Sequence, residues 1–340
     1  MSSQSATILK FSILVISILL MMIGNIYFGS VRIAASEVSE ILASGSVADS
    51  PYSYIIFNSR IPQMLTAILT GAGLSVSGLM LQVAFRNPLA GPSILGVTSG
   101  ASLGVALVIL GLGGSLGAAG MQWGGYTAVI AGALIGSLSV MAVLLMFSTW
   151  LRNALLLLIT GIMVGYLTSS IITLLNFTAT TEGVHNYTMW GMGNFNGVSW
   201  NDMPLFSTLT ILGLVFAILM VKPLNIIQLG PRYAAGLGID MKRVRNKLLI
   251  ATGILTAVAT AYCGPVSFIG LSVPHIARMI MRTANQRILV PASMLGGASV
   301  GLLCNLLCVI PQSTTLPLNG VTPLVGVPVI IYVILKGRRK

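Results

Sequence analysis

The sequence has 340 residues, of which only 18 are basic and 6 acidic, while 55% are hydrophobic and the mean hydropathy is +0.95. Charged residues make up 7% of the chain against about 25% in soluble domains, which excludes an ordinary soluble domain. The net charge of +12 comes from bases in short segments between apolar runs, which is typical of membrane topology rather than of nucleic-acid binding. We therefore predict an all-α polytopic protein that contacts lipid and no nucleic acid.

Apolar runs long enough to cross a bilayer recur along the chain. They predict about ten transmembrane helices in a single domain over residues 1–340. The first run is long and residues 29–32 form a poor cleavage site, so we expect an uncleaved helix rather than a signal peptide. The third predicted span starts near residue 92 and ends in the glycine-rich residues 111–120. The other predicted spans start and end near residues 8–28, 60–84, 126–147, 154–176, 204–221, 248–263, 264–278, 289–309 and 321–335.

The charges give the orientation. An even number of spans places both termini on one side, and Lys10 and the basic tail 336–340 indicate the cytoplasm. In this arrangement every base except Arg32 and Arg60 is cytoplasmic, and every acid except Asp240 faces outward. Ten spans place nearly all bases on the cytoplasmic side and nearly all acids on the outer side, and this separation supports the number of spans.

One stretch, residues 264–278, is apolar at its start and basic at its end. Two prolines make a long unbroken helix unfavourable, and a broken helix at membrane depth needs protein or a water-filled cavity around it. We predict that this stretch lines a pathway, although a proline-kinked packing helix is an open alternative. The residues assigned to the pathway are Gly264, Pro265, Phe268, Gly270, Pro274, His275 and Arg278.

Residues 91–98 repeat the pattern of residues 264–271, since each begins with Gly-Pro. The first segment begins a helix that leaves the cytoplasm and the second begins one that enters it. Inverted repeats have this pattern, which suggests halves at about 60–176 and 248–335. Gly-Pro pairs are common in membrane helices, so chance similarity remains an alternative.

Several kinds of chemistry are absent from the sequence. No carboxylate lies in the middle of a predicted span, which disfavours a proton- or sodium-coupled carrier, although a site made of carbonyl groups would escape this test. No phosphate-binding loop is present, so an ATP-driven process needs another chain. Cys263, Cys304, Cys308, His185 and His275 form no ligand cluster, and we expect no metal, no cofactor and no enzyme activity. A self-contained carrier or channel remains the main alternative.

Specific motifs then identify a family, and they extend over nearly the whole chain. They are Arg60-Ile61-Pro62, the blocks 71–82, 87–92 and 99–101, the helix start 157–162, residues 190–193 with Trp200, residues 229–230 with 234–239, and the stretch 264–278. The chain resembles the FecCD-type permeases of ATP-binding-cassette (ABC) importers for iron-siderophores, haem and cobalamin.

The resemblance implies a ten-helix subunit of the bacterial inner membrane that pairs with a second permease copy. It also implies two ABC ATPase subunits inside, a substrate-binding protein outside, and no cofactor in this chain. The family's cytoplasmic gate corresponds to Asn87, Leu89, Ala154 and Leu155. Asn87 also suits a turn or a helix C-cap, and both roles can hold together.

The segment 222–247 corresponds to the family's ATPase coupling loop. Pro231 favours a helix start, Gly236 and Gly238 can end a short helix, and Asp240 is suited to cap a second helix. A basic loop that merely fixes topology is the alternative. The predicted coupling residues are Tyr233, Ala234, Ala235, Gly236, Leu237, Gly238, Ile239 and Asp240.

The chain departs from the family at its outer end. Family members often carry charged residues where this chain has Gln63, Asn305, an apolar residue near Val309, and Thr315. Only Arg60 is then left as a predicted docking residue for the substrate-binding protein.

Overall fold

The computed structural model describes residues 3–44, 51–111, 124–151, 154–311 and 314–337, and all regular structure within these ranges is helical. The short helix α3 continues through a π-helical turn, Ile56–Arg60, into α4, and a second π-helical turn, Leu107–Gly111, ends α5. The helices are α1 Ser3–Tyr27, α2 Ala35–Ser44, α3 Pro51–Ile55, α4 Ile61–Phe85, α5 Val97–Ala106, α6 Gly124–Trp150, α7 Ala154–Thr178, α8 Thr181–Met192, α9 Met203–Leu219, α10 Val221–Gln228, α11 Pro231–Gly236, α12 Met241–Cys263, α13 Ile269–Met281, α14 Gln286–Val309 and α15 Leu318–Gly337.

The described helices agree with the predicted spans. Six are long and apolar enough to cross a membrane, and α9 with α10 makes a seventh span if the 50° bend between them is accepted. Three shorter apolar helices, Val97–Gly111, Ile269–Met281 and Leu318–Val333, occupy the remaining predicted positions. The ten apolar segments expected from the sequence are therefore all present as helices.

Several predicted boundaries differ from those of the structure. The third span begins at Val97 rather than near residue 92, because residues 92–96 form turns. The seventh begins at Met241, so the basic start of α12 belongs to the same helix as its apolar part. The outer loop 177–202 contains α8, whose start is capped by the hydroxyl of Thr180.

Helix α4 forms the centre of the bundle, and it packs against α14, α12, α13 and α9. Its contact with α14 is close enough to exclude side chains. A Cβ atom at Gly71 would lie 2.1 Å from the carbonyl oxygen of Gly297, and one at Gly301 would lie 2.3 Å from that of Ala67. Small residues four apart allow this backbone-to-backbone approach, as is usual where membrane helices cross.

Helices α5 and α6 cross in the same way. A Cβ atom at Gly104 would lie 1.9 Å from the carbonyl oxygen of Gly132, and one at Gly136 would lie 2.1 Å from that of Gly100. Both crossings use pairs of glycines separated by four residues, which identifies two tight helix pairs in the fold.

Helix α1 lies at the edge of the bundle, where most of its side chains face outward. It is joined to the core through a row of three carboxamides, of which those of Asn25 and Asn305 are buried and that of Gln63 is half-buried. Asn305 donates from Nδ2 to Oδ1 of Asn25 at 2.7 Å, and Gln63 donates from Nε2 to Oδ1 of Asn305 at 2.8 Å. This carboxamide ladder, Asn25–Asn305–Gln63, links α1, α14 and α4 without any charge.

Candidate functional site

The stretch 264–278 is broken as the sequence predicts. Helix α12 ends at Cys263, and α13 begins only at Ile269. The intervening backbone takes positive φ at Gly264 (73°) and at Phe268 (64°), and the second value is uncommon for a bulky residue. The hydroxyl of Ser272 donates to the carbonyl oxygen of Phe268 at 2.9 Å, which supports the first turn of α13.

The two Gly-Pro segments meet in space. A cavity of about 190 Å³ is lined from one side by residues 91–94 and from the other by residues 266–268, with Gly270 and Leu271. A Cβ atom at Gly270 would lie 2.9 Å from Cδ of Pro92, so the segments are in direct contact. No ionisable side chain is among the lining residues, which makes this cavity neutral.

The predicted gate residues Asn87 and Leu89 lie in the turn after α4. Arg86 ends the helix in the left-handed conformation, with φ of 49°. Oδ1 of Asn87 then accepts a hydrogen bond from the backbone N–H of Leu89 at 2.9 Å. We call residues 87–89 the gate turn. Asn87 does form the turn, as the alternative interpretation expected, and the side chain of Leu89 is 45% exposed.

The other two predicted gate residues begin α7. Ala154 is its first residue, and the side chain of Leu155 is 54% exposed. Helix α7 packs against the turn that follows the gate turn, since a Cβ atom at Gly161 would lie 3.0 Å from Cα of Leu95. The two pairs of predicted gate residues thus belong to neighbouring elements, and their role as a gate stays a prediction.

Helix α13 holds the gate turn in place. Nε2 of His275 lies 2.8 Å from the carbonyl oxygen of Pro88. Nη1 of Arg278 donates to Oε1 of Gln82 at 2.7 Å, and Nε2 of Gln82 donates to the carbonyl oxygen of Leu271 at 3.1 Å. Of the residues assigned to the pathway, His275 thus binds the gate turn and Arg278 binds the end of α4. Pro274 is buried in α13 between Leu271 and His275.

The predicted coupling residues form the expected short helix and cap. Helix α11 ends at Gly236, and Gly238 takes a positive φ of 74°. Oδ1 of Asp240 accepts hydrogen bonds from the backbone N–H groups of Lys242 at 2.9 Å and Arg243 at 3.1 Å. The backbone N–H of Arg243, the larger cause, and that of Lys242 lower the pKa of Asp240 below its ordinary value.

Apolar side chains of this segment are exposed. Leu229 and Leu237 are each 61% exposed and Tyr233 is 71% exposed, whereas Ala234 is fully buried. These three exposed residues follow one another at intervals of four, and we call them the coupling patch. Ala235, Gly236, Gly238 and Asp240 are exposed beside the patch, and Ile239 is half-buried. Exposed apolar clusters rimmed by polar residues commonly mark protein interaction sites.

Comparison with known proteins identifies the family of the chain. The model of the FecCD transport family matches residues 13–336. The chain belongs to the FecCD transport family. It is 32% identical to the hemin transport system permease protein HmuU of Yersinia pestis, over 96% of this chain and 97% of that protein. It is 34% identical to the vitamin B12 import system permease protein BtuC of Salmonella arizonae, over 88% of each.

A solved structure shares the fold of this FecCD protein. It is described as a metal-chelate type ABC transporter in an inward-facing conformation. The TM-score is 0.81 at 28% sequence identity, and the match covers 96% of this chain and 99% of the other. The arrangement of helices described above is thus shared with an ABC transporter along the full chain.

The outer end of this FecCD member requires one correction. Arg60 was predicted to dock the substrate-binding protein, but its side chain is only 4% exposed. Its guanidinium donates to the carbonyl oxygens of Tyr27 at 3.1 Å and Val31 at 2.6 Å, and also to that of Ile26. Arg60 therefore satisfies carbonyl groups left unpaired at the end of α1, and little of it is accessible to an acid of another protein.

The polar residues at three of the outer positions that depart from the family lie together. Gln63, Asn305 and Thr315 line a cleft of about 130 Å³, which Asn194 and Asn196 also line. The sequence places these residues far apart, and only the fold brings them to one site. The cleft has hydrogen-bonding side chains but no ionisable acid or arginine among its lining residues.

Some contacts of this site were missed by sequence reasoning. The sequence predicts only that Arg245 is a cytoplasmic base. In the structure its Nη2 donates to the carbonyl oxygens of Ser148 at 2.7 Å and Leu151 at 3.0 Å, at the end of α6. Gln82 was read only as part of a motif. Nothing in the local sequence reveals either partner, although a base next to a helix end is a general signal for carbonyl contacts.

Proposed function

We propose that this chain is the transmembrane permease subunit of an ABC importer that moves a metal chelate into the bacterial cytoplasm. The observation that carries the proposal is the family match over residues 13–336. Two relatives matched over most of their length are named as haemin and vitamin B12 permeases. A haem, a cobalamin or an iron-siderophore is accordingly the proposed class of substrate.

The energy for import comes from partner subunits in this proposal. The sequence lacks a phosphate-binding loop, so two ATPase subunits would bind at the cytoplasmic face. The coupling patch of Leu229, Tyr233 and Leu237 provides exposed apolar surface for that contact. A second copy of the permease completes the transporter, and a substrate-binding protein delivers the chelate from outside.

The pathway follows the broken helices. The neutral cavity between residues 91–94 and 266–271 lies where unwound backbone borders a route in other transporters. The gate turn, with Ala154 and Leu155, would close that route at the cytoplasmic end. A charge placed in the middle of a membrane costs about 2.5 kcal/mol or more. A neutral lining therefore suits a bulky chelate whose charges are largely compensated within the metal complex.

Assembly with the ATPase provides the first test. The permease is purified in detergent together with its ATPase, and the recovered ratio of the two is compared among variants. Tyr233→Ala combined with Leu237→Ala removes most of the coupling patch and is expected to abolish co-purification. The control is Phe177→Ala, which alters a 90% exposed residue at the far end of α7 and is expected to leave the ratio unchanged.

Substrate identity is tested separately. The cognate substrate-binding protein is offered haem, cobalamin and a ferric siderophore, and the ligand that it retains is then supplied to proteoliposomes containing the whole transporter. Uptake of that ligand supports the proposal. Retention of an unrelated solute such as a sugar or an amino acid would overturn the assigned substrate class.

A further inference from the structure

Arg86 links two elements that the sequence keeps far apart. Arg86 is the C-cap residue of α4, and it directly precedes Asn87, the first residue of the gate turn. Its Nη2 donates to the carbonyl oxygen of Ile227 at 3.0 Å. Ile227 lies in the last turn of α10, which leads through Gly230 into α11 and the coupling patch. The side chain of Arg86 therefore hydrogen-bonds the coupling segment to the residue that precedes the gate turn.

The space around this bond is open. A cleft of about 440 Å³ lies beside the contact between the two elements and is lined by Gln82, Arg86, Gln228, Gly230 and Arg278, among others. Beside the cleft the two elements are also packed together, since the buried side chains of Leu224 and Ile227 belong to the same apolar cluster as Val83 and Phe85. The hydrogen bond of Arg86 adds a directional link to this packing.

Helix α10 has a second contact that serves as a reference. Oδ1 of Asn225 accepts from the backbone N–H of Gln286 at 2.8 Å, and Nδ2 of Asn225 donates to Oδ1 of Asn285 at 3.3 Å. These bonds tie α10 to the start of α14, which does not carry the gate turn. Helix α10 is therefore hydrogen-bonded at Ile227 to the residue before the gate turn, and at Asn225 to the start of α14.

We propose that Arg86 is a positioning residue that transmits movement of the coupling segment to the gate turn. The inference rests on the proposed function, because it requires an ATPase to move α11. A shift of the α10–α11 junction displaces the carbonyl group of Ile227, and the bonded guanidinium carries that shift to the left-handed residue before Asn87. Elements with two discrete arrangements transmit such movements through hydrogen bonds and packed side chains.

The experiment uses the complete transporter in proteoliposomes with its ATPase and binding protein. Arg86→Gln removes the charge and shortens the side chain, while Arg86→Lys keeps a donor of similar reach. The matched control is Asn225→Leu, which breaks the contact of α10 with α14 and leaves Arg86 intact. Uptake and ATP hydrolysis are both measured, and their ratio is the result of interest.

We expect Arg86→Gln to lower uptake per ATP hydrolysed by about tenfold, while hydrolysis itself changes by less than about twofold. Arg86→Lys should restore most of the ratio, and Asn225→Leu should leave it unchanged. An unchanged ratio in Arg86→Gln would overturn the proposal. Loss of ATPase binding in Arg86→Gln would also overturn it, because Arg86 would then be a docking contact.

A second measurement covers the case in which Arg86→Gln does not insert. Spin labels at Leu89→Cys and Gln228→Cys report the distance across the cleft in the otherwise unchanged protein, whose three native cysteines are buried. Binding of ATP by the complete transporter should leave this distance constant, whereas a change of about 5 Å, one helical turn, would overturn the link. If the unaltered transporter shows no ATP-dependent uptake, the proposed function fails first and the role of Arg86 fails with it.

Discussion

Nε2 of His275 lies 2.8 Å from the carbonyl oxygen of Pro88. A carbonyl oxygen only accepts hydrogen bonds, so Nε2 carries the proton in this contact. The bond joins α13, which follows the cavity of the two Gly-Pro segments, to the turn that we assign as the cytoplasmic gate. His275 is isolated from other ligand-type residues in the sequence, yet in the structure its imidazole fixes α13 to the gate turn.

Replacing His275 is expected to loosen the gate turn. His275→Ala removes the donor to the carbonyl oxygen of Pro88 and should lower the free energy of unfolding by about 1–3 kcal/mol. Passive leak of substrate from proteoliposomes should rise as well. The control is His185→Ala, since His185 is exposed on α8. Equal thermal stability and equal leak in the two variants would contradict a structural role for the bond to Pro88.

Two glycines of α4 should respond oppositely to alanine. A Cβ atom at Gly71 would meet the carbonyl oxygen of Gly297 at 2.1 Å, whereas one at Gly73 has its nearest contact at 3.4 Å, with a methyl group of Leu255. Gly71→Ala forces α4 and α14 apart and should destabilise the protein by about 1–3 kcal/mol. Gly73→Ala should be neutral or stabilising by up to about 1 kcal/mol, because alanine favours helix. Thermal unfolding in detergent distinguishes the two, and similar losses in both would argue against the close crossing.

Docking of the substrate-binding protein should depend little on ionic strength. Arg60 is bonded to carbonyl groups inside the protein, and exposed ion pairs contribute only about 0–1 kcal/mol each in any case. Arg60→Gln should lower stability yet leave the affinity for the binding protein nearly unchanged. Affinity is measured at low and high salt with unaltered permease and with the variant. A steep fall in affinity with salt would show that charged contacts dominate docking.

The predicted orientation can be tested on α8. Glu182→Cys introduces a thiol at an exposed position, whereas the neighbouring Gly183 is buried and unsuitable. A membrane-impermeant maleimide should label this cysteine from outside in intact cells, because the bases of the chain favour cytoplasmic termini. Labelling that appears only after lysis would reverse the assigned orientation.

The sequence predicted the spans well because length and apolarity alone decide whether a segment crosses a bilayer. The coupling segment was also predictable, since Gly238 and Asp240 act through local backbone chemistry. Helix α8 was missed because polar residues and glycines make up much of it, as in a surface loop. Its signal was the capping hydroxyl of Thr180, which accepts from the N–H of Gly183 at 3.1 Å, with Glu182 in the first turn.

The partners of the charged residues could not be predicted. Arg86 and Arg245 satisfy the rule for topology equally well whichever carbonyl group they meet, and that choice, like the partners of Arg60, depends on how the helices pack. The ladder Asn25–Asn305–Gln63 similarly joins residues whose proximity exists only in the folded bundle. Local sequence therefore located the elements of the candidate site, whereas tertiary packing determined which of its side chains touch.

Transport powered in trans is the central claim of this account. The most direct test compares proteoliposomes that contain the permease with its binding protein and ATPase against vesicles in which the phosphate-loop lysine of the ATPase is replaced. We predict that substrate accumulates with ATP only when that lysine is present, and that the permease alone accumulates none under a proton or sodium gradient. Accumulation by the permease alone, driven by such a gradient, would contradict the claim and indicate a secondary carrier.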